Sequence, residues 1–180
     1  MKHPKDHKGN APQQLGIAVL TVSSSRTMET DSSGDWMVKR IHKEGHRLET
    51  HIIIPDNHEL IQKTVVDLTS QSQVNAILIT GGTGISPTDV TIEAVSPLFT
   101  KTMPAFGSIF SYLSYEEIDS SAILSRAAAG IIQETVVFCM PGSLKAVKLA
   151  CKLLIFNELH HICHHLFENL HHDEKKVSTE

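Results

Sequence analysis

The stretch ILITGGTGISPTDVTIEAV, residues 77–95, runs an apolar segment directly into Gly81, Gly82 and Gly84 and then supplies Asp89 and Thr91. Glycines at such a turn let the backbone take positive φ and let a ligand approach the main chain closely. With a helix behind it, the turn points several backbone N–H groups at one place, an arrangement that binds anions. The spacing is not that of a Walker A loop, which needs a lysine. It is not a full dinucleotide fingerprint either, because Pro87 takes the third glycine position. Two readings stand: a phosphate-binding loop, or a tight turn alone.

Two acids could add to that chemistry. Asp31 lies in the serine-rich run SSSRTMETDSSG, and Asp89 follows the glycines. Two carboxylates facing bound phosphates suit Mg²⁺, which usually takes one or two carboxylates plus phosphate oxygens. As loop aspartates, both also suit helix capping or Asx turns, Asp89 together with Thr91. Arg26 and Arg126 are the cations available to the same edge, or equally solvated surface residues.

The elements that would position these groups alternate along the chain. Apolar strands are expected at 15–22, 48–54, 76–80 and 135–140. Helices are expected from Ser33 to about Gly45, with Ser32 or Ser33 as N-cap, and over HELIQKTVVDLTSQ, where Ile61, Val65 and Leu68 recur at i, i+4, i+7. Further helices are expected from about Thr91 to Leu98, over YEEIDSSAILSRAAAG to Gly130, and over SLKAVKLACKLLIFNEL. Residues 100–113 carry no clear pattern, and no internal repeat is visible. Continuous apolar strands alternating with helices imply an α/β fold, a three-layer α/β/α arrangement with a mainly parallel central sheet. Ligands of such sheets sit beyond the carboxyl ends of the strands. SSSRTMETDSSG, GGTGISPTD and PGS would meet there.

The 180 residues, 41% apolar and 20% charged with a formal charge of −4, fit one soluble domain. No Lys/Arg block is present, which argues against a nucleic-acid surface, and no apolar run approaches a membrane span. The polar start MKHPKDHKGN is no signal peptide. Cys139, Cys151 and Cys163 form no CxxC pair and read as reduced thiols of a cytoplasmic protein.

GGTGISPTDVT, with DSSG upstream and LSRAAAG and MPGSLKAV downstream, resembles the MoaB/MogA family of molybdenum cofactor biosynthesis proteins, and its MoaB branch most closely. The resemblance runs from about residue 13 to 156. It implies a MogA-like fold over residues 13–158, between a disordered tail (1–12) and a His-rich tail (159–180). It also implies assembly as a homotrimer or homohexamer, molybdopterin as ligand, and a possible molybdenum-insertion partner protein. Its activity would be adenylylation of molybdopterin with ATP and Mg²⁺, releasing pyrophosphate. By position, Asp31 and Asp89 match the family's functional aspartates and would hold Mg²⁺. Gly81, Gly82, Thr83 and Gly84 match its phosphate loop, Ser125 and Arg126 its SR pair, and Pro141, Gly142 and Ser143 its last loop. Ser23, Arg26, Ser33, Gly34, Thr80 and Thr91 complete the expected binding set. Where the family carries an acid and a base, this chain has Ser108 and Ser111. That loss favours a second reading, a molybdopterin-binding oligomeric scaffold without turnover.

NELHHICHHLFENLHHD gathers six of the twelve histidines. His160 with His164, and His161 with His165, fall at i, i+4, where two imidazoles can share a metal. The favoured reading is a frayed, polar tail with solvated histidines and no part in catalysis, picking up transition metals weakly and adventitiously. On that reading, truncation after Glu158 leaves molybdopterin binding unchanged.

Overall fold

A computed structural model describes residues 14–177. The expected N-terminal tail therefore lies outside the described residues. Six strands form one sheet in the order β2-β1-β3-β6-β5-β4. Four of them, β1 (Gly16–Val22), β2 (Arg47–Ile54), β3 (Ala76–Thr80) and β6 (Thr135–Met140), run parallel. The expected α/β/α architecture is the one observed. β5 (Ala128–Ile132) and β4 (Lys101–Thr102) add an antiparallel edge.

Alternation along the strands builds two cores. On one face Ile17, Val19, Leu78, Val136 and Phe138 pack with Met37 and Ile41 of α1 (Ser32–Lys43) and Phe106 and Phe110 of α4 (Pro104–Ile118). On the other, Ala18, Leu20, Ile77, Ile79 and Val137 meet Ile61, Val65 and Leu68 of α2 (His58–Thr69) and Ala94 and Val95 of α3 (Thr91–Val95). β1, β3 and β6, buried along their whole length, read as unbroken apolar runs, which is why their positions were evident in the sequence.

Three expectations are corrected. The N-cap of α1 is Asp31, not Ser32 or Ser33: its carboxylate accepts the Gly34 N–H. Gly45, with φ 81°, does follow the end of the helix. The helix expected to reach Gly130 instead ends where Asp119 takes φ 53°. A 3₁₀ segment (Asp119–Leu124) follows, and AAGII forms β5. The ladder to β6 outweighs the helix propensity of three alanines, because propensity is a weak preference that tertiary pairing overrides. Lastly, the C-terminal helix does not fray after residue 156. α5 (Leu144–Ala150) passes through a π-helical segment (Cys151–Ile155) into α6 (Phe156–Val177). Leu159 and Cys163 of α6 are 0% and 1% exposed in the first core, so truncation after Glu158 would uncover it.

Candidate functional site

The sheet reverses its direction of growth between β1 and β3, where β2 lies to one side and β3 to the other. Such a point opens a crevice outside the carboxyl ends of the strands. Here it is a cleft of about 450 Å³ at the ends of β1, β3 and β6. Its lining includes the expected Ser23, Arg26, Gly81, Gly82, Thr83, Gly84, Asp89, Ser125, Pro141 and Gly142.

The glycine loop forms one wall. Gly81 and Gly82 have φ of 97° and 60°, and a Cβ on Gly81 would run into the Val22 carbonyl. The turn is tied from behind: Thr91 donates its hydroxyl to the Gly81 carbonyl and its N–H to the Gly82 carbonyl, both at 2.9 Å. Thr80 Oγ1 donates to the Pro141 carbonyl at 3.0 Å, joining this wall to the last loop. Arg126 completes the support. Its Nε donates to the Thr83 and Gly84 carbonyls at 2.9 and 3.0 Å, and its remaining nitrogens pair with the Glu93 carboxylate. That pairing lowers the Glu93 carboxyl and raises the Arg126 guanidinium from their ordinary values. Arg126 thus shapes the loop and is not among the cleft-lining residues.

The two expected aspartates part company. Asp89 is half-buried in the cleft wall, accepts the Ser86 N–H at 2.8 Å and sits against Gly84, where an added Cβ would come within 2.7 Å of its Oδ2. Asp31 is fully buried behind the cleft and does not line it. Its Oδ1 takes the Gly34 N–H at 3.0 Å and Arg26 Nη1 at 3.3 Å; its Oδ2 takes the Thr21 hydroxyl at 2.5 Å and His51 Nε2 at 3.1 Å. Burial alone would raise this carboxyl; hydrogen bonds from Thr21, Gly34 and His51, with the charge of His51, outweigh it and hold the group below its ordinary value. Both oxygens are saturated by donors. Gly34 is required here, since a Cβ on it would collide with Asp31 and His51.

This buried network aims a cation. Arg26, anchored by Asp31, donates Nη2 to the Gly142 carbonyl at 2.8 Å and lines the cleft. Ser33 Oγ donates to the same carbonyl, also at 2.8 Å. Ser143 caps α5 through the Ala146 N–H and lies outside the lining.

Sequence reasoning missed Asp56, Ser24 and His51. Asp56 lines the cleft, accepts the Ser24 N–H and hydroxyl at 2.8 and 2.7 Å, and its Oδ1 would lie 3.0 Å from a Cβ on Gly82. It therefore borders the glycine loop at Gly82, as Asp89 does at Gly84. Its signal was available: it follows Pro55 at the end of β2, another carboxyl end of a parallel strand. His51 gave no signal, for within LETHIII it is one polar residue of an alternating strand.

A family model described as "Probable molybdopterin binding domain" matches residues 18–161. Molybdenum cofactor biosynthesis protein B of Bacillus subtilis (strain 168) is 48% identical over 159 residues, 88% of this chain and 94% of that protein. A crystal structure of a molybdenum cofactor biosynthesis protein B superposes with a TM-score of 0.85 at 44% identity, covering 88% of this chain and 99% of that one. The tungsten cofactor synthesizing protein MoaB from Pyrococcus furiosus gives 0.78 at 34% identity, covering 87% and 99%. Among the described residues, no helix is long and apolar enough to cross a membrane.

Proposed function

The chain belongs to the family of probable molybdopterin-binding domains, and on that premise we propose that the cleft binds molybdopterin and adenylylates it with Mg-ATP, releasing pyrophosphate. The observation that carries this reading is that one cleft is lined by Asp56 beside Gly82, Asp89 beside Gly84, and Arg26. The donor set fits Mg²⁺, which is held by one or two carboxylates and completed by phosphate oxygens and water. Asp56 and Asp89 would hold it. Asp31, its oxygens already occupied, would set Arg26 instead. When bound, Mg²⁺ supplies charge neutralisation on the phosphates.

The chemistry asks little covalent work of the chain. A terminal phosphate of molybdopterin is already ionised near neutral pH. It attacks the α-phosphorus of ATP, and the bond to pyrophosphate breaks. The glycine-loop amides hold phosphate oxygens, Arg26 offsets negative charge, and Arg126 keeps the loop in register. Positioning and electrostatics therefore carry the rate. No thiol is needed: burial pushes Cys139 up to about 12, which suits a core residue.

The scaffold reading has one supporting observation. Ser108 and Ser111 are exposed on α4 beside Ile109 and Tyr112, which are 47% and 63% exposed. An uncharged, partly apolar helix face suits a homotrimer or homohexamer contact, and an insertion partner would act on the product. Measuring ATP-dependent pyrophosphate release with molybdopterin present decides between them. Release supports the transferase, and binding without release supports the scaffold.

A further inference from the structure

The cleft leaves the histidines of α6 unused. We propose that His161 and His165 form a second metal site, a two-imidazole chelate for a divalent ion of the Cu²⁺ or Ni²⁺ class. The two residues are one turn apart on α6 and both are exposed. Their Nε2 atoms lie 2.9 Å apart and their ring centroids 4.6 Å apart.

That separation is within reach of a cis pair. Two metal–nitrogen bonds of about 2.0 Å across a gap of this size subtend roughly 90° at the ion, and a tetrahedral angle needs the nitrogens only slightly further apart, at roughly 3.3 Å. A right angle is the cis angle of a tetragonal site, the preference of Cu²⁺ and Ni²⁺ with nitrogen ligands. Water can fill the remaining positions, since the pair faces solvent. Glu158 Oε2 lies 3.4 Å from His161 Nδ1. A carboxylate there favours the Nδ1–H tautomer and leaves Nε2 as the ligand atom, the usual outer support of a metal-binding histidine.

The helix is a rigid frame for the pair. Leu159 and Cys163 fasten it to the core. Cys163 is no third ligand, because it is buried, its thiol is pushed up to about 12 by that burial, and its Sγ lies 3.9 Å from the Asn75 carbonyl. Without metal, the 2.9 Å contact is a hydrogen bond with one Nε2 protonated. Binding at both Nε2 atoms moves that shared proton to the Nδ1 of the same ring, by exchange through solvent, so that both imidazoles ligate in the neutral form. The site does not depend on the proposed chemistry of the cleft.

The test uses the full-length protein, titrated with CuCl₂ and with NiCl₂ in a non-coordinating buffer and followed by calorimetry and by Cu²⁺ electron paramagnetic resonance. One site is expected, with hyperfine structure from two nitrogens. His161→Ala and His165→Ala should each weaken binding at least tenfold, and His160→Ala should not change it. All three side chains are exposed, so circular dichroism should be unaltered. Wild-type affinity in either single variant would overturn the proposal. So would an equal loss in His160→Ala, which would show adventitious binding by the histidine-rich segment as a whole.

Discussion

Asp31→Asn separates a structural carboxylate from a metal ligand. The substitution keeps the shape and the capping oxygen for the Gly34 N–H, but it turns the Oδ2 position into a donor facing Thr21 Oγ1 and His51 Nε2. Hydrogen bonds to a charged group contribute about 1.5–3 kcal/mol, against about 1 kcal/mol for neutral ones. Weakening the contacts to Thr21, His51 and Arg26 should therefore cost about 2–4 kcal/mol of stability. For a chain of this size that lowers Tm by about 5–15 °C. The assay is thermal and urea unfolding without Mg²⁺ or nucleotide, at one protein concentration so that assembly is held constant. The pH dependence is a second readout. Because the native carboxyl titrates below its ordinary 3.8, its contribution is complete above that value and is lost as pH falls through the native pKa. The gap between wild type and variant should be flat above about pH 5 and close in acid. A metal-free stability loss below about 1 kcal/mol would refute the structural role, for that is less than one hydrogen bond to a charged group contributes.

Asp89→Asn and Asp56→Asn should each reduce pyrophosphate release by about 10²-fold or more while leaving Tm within a few degrees, since both are partly exposed in the cleft wall; wild-type turnover at limiting Mg²⁺ in either variant would contradict the assignment. Arg126→Lys loses the fork that spans two loop carbonyls and Glu93, so weaker ATP binding is expected by calorimetry, with α3 and β5 unchanged in hydrogen exchange. Light scattering at micromolar concentration should give a trimer or hexamer of the 19.8 kDa chain, and a monomeric mass would count against assembly. Truncation after Glu158 removes two fully buried core side chains and should lower stability by about 2–5 kcal/mol or more, measured by urea unfolding.

What the sequence determined by itself is whatever depends on near neighbours along the chain. Three of the four parallel strands, β1, β3 and β6, were evident because burial on both faces demands continuous apolar runs, and the half-buried edge strand β2 showed as LETHIII closed by PDN. The turn at Gly81 and Gly82 was evident because few side chains tolerate its φ. Ten of the seventeen expected site residues line the cleft for the same reason: they sit in loops that a parallel sheet must bring to one edge. The tertiary structure decided the rest. Asp31 and Asp56 are both loop aspartates, and no local feature says which one faces a ligand. The role of a carboxylate depends on the donors it meets, and those of Asp31 come from β1, β2, the loop between β1 and α1, and the first turn of α1. The alanines of β5 became a strand because β6 offered a ladder across a two-residue turn. The histidine-rich segment stayed helical because Leu159 and Cys163 reach a core that draws on β1, α1, β3, α4 and β6, an energy that no local propensity records.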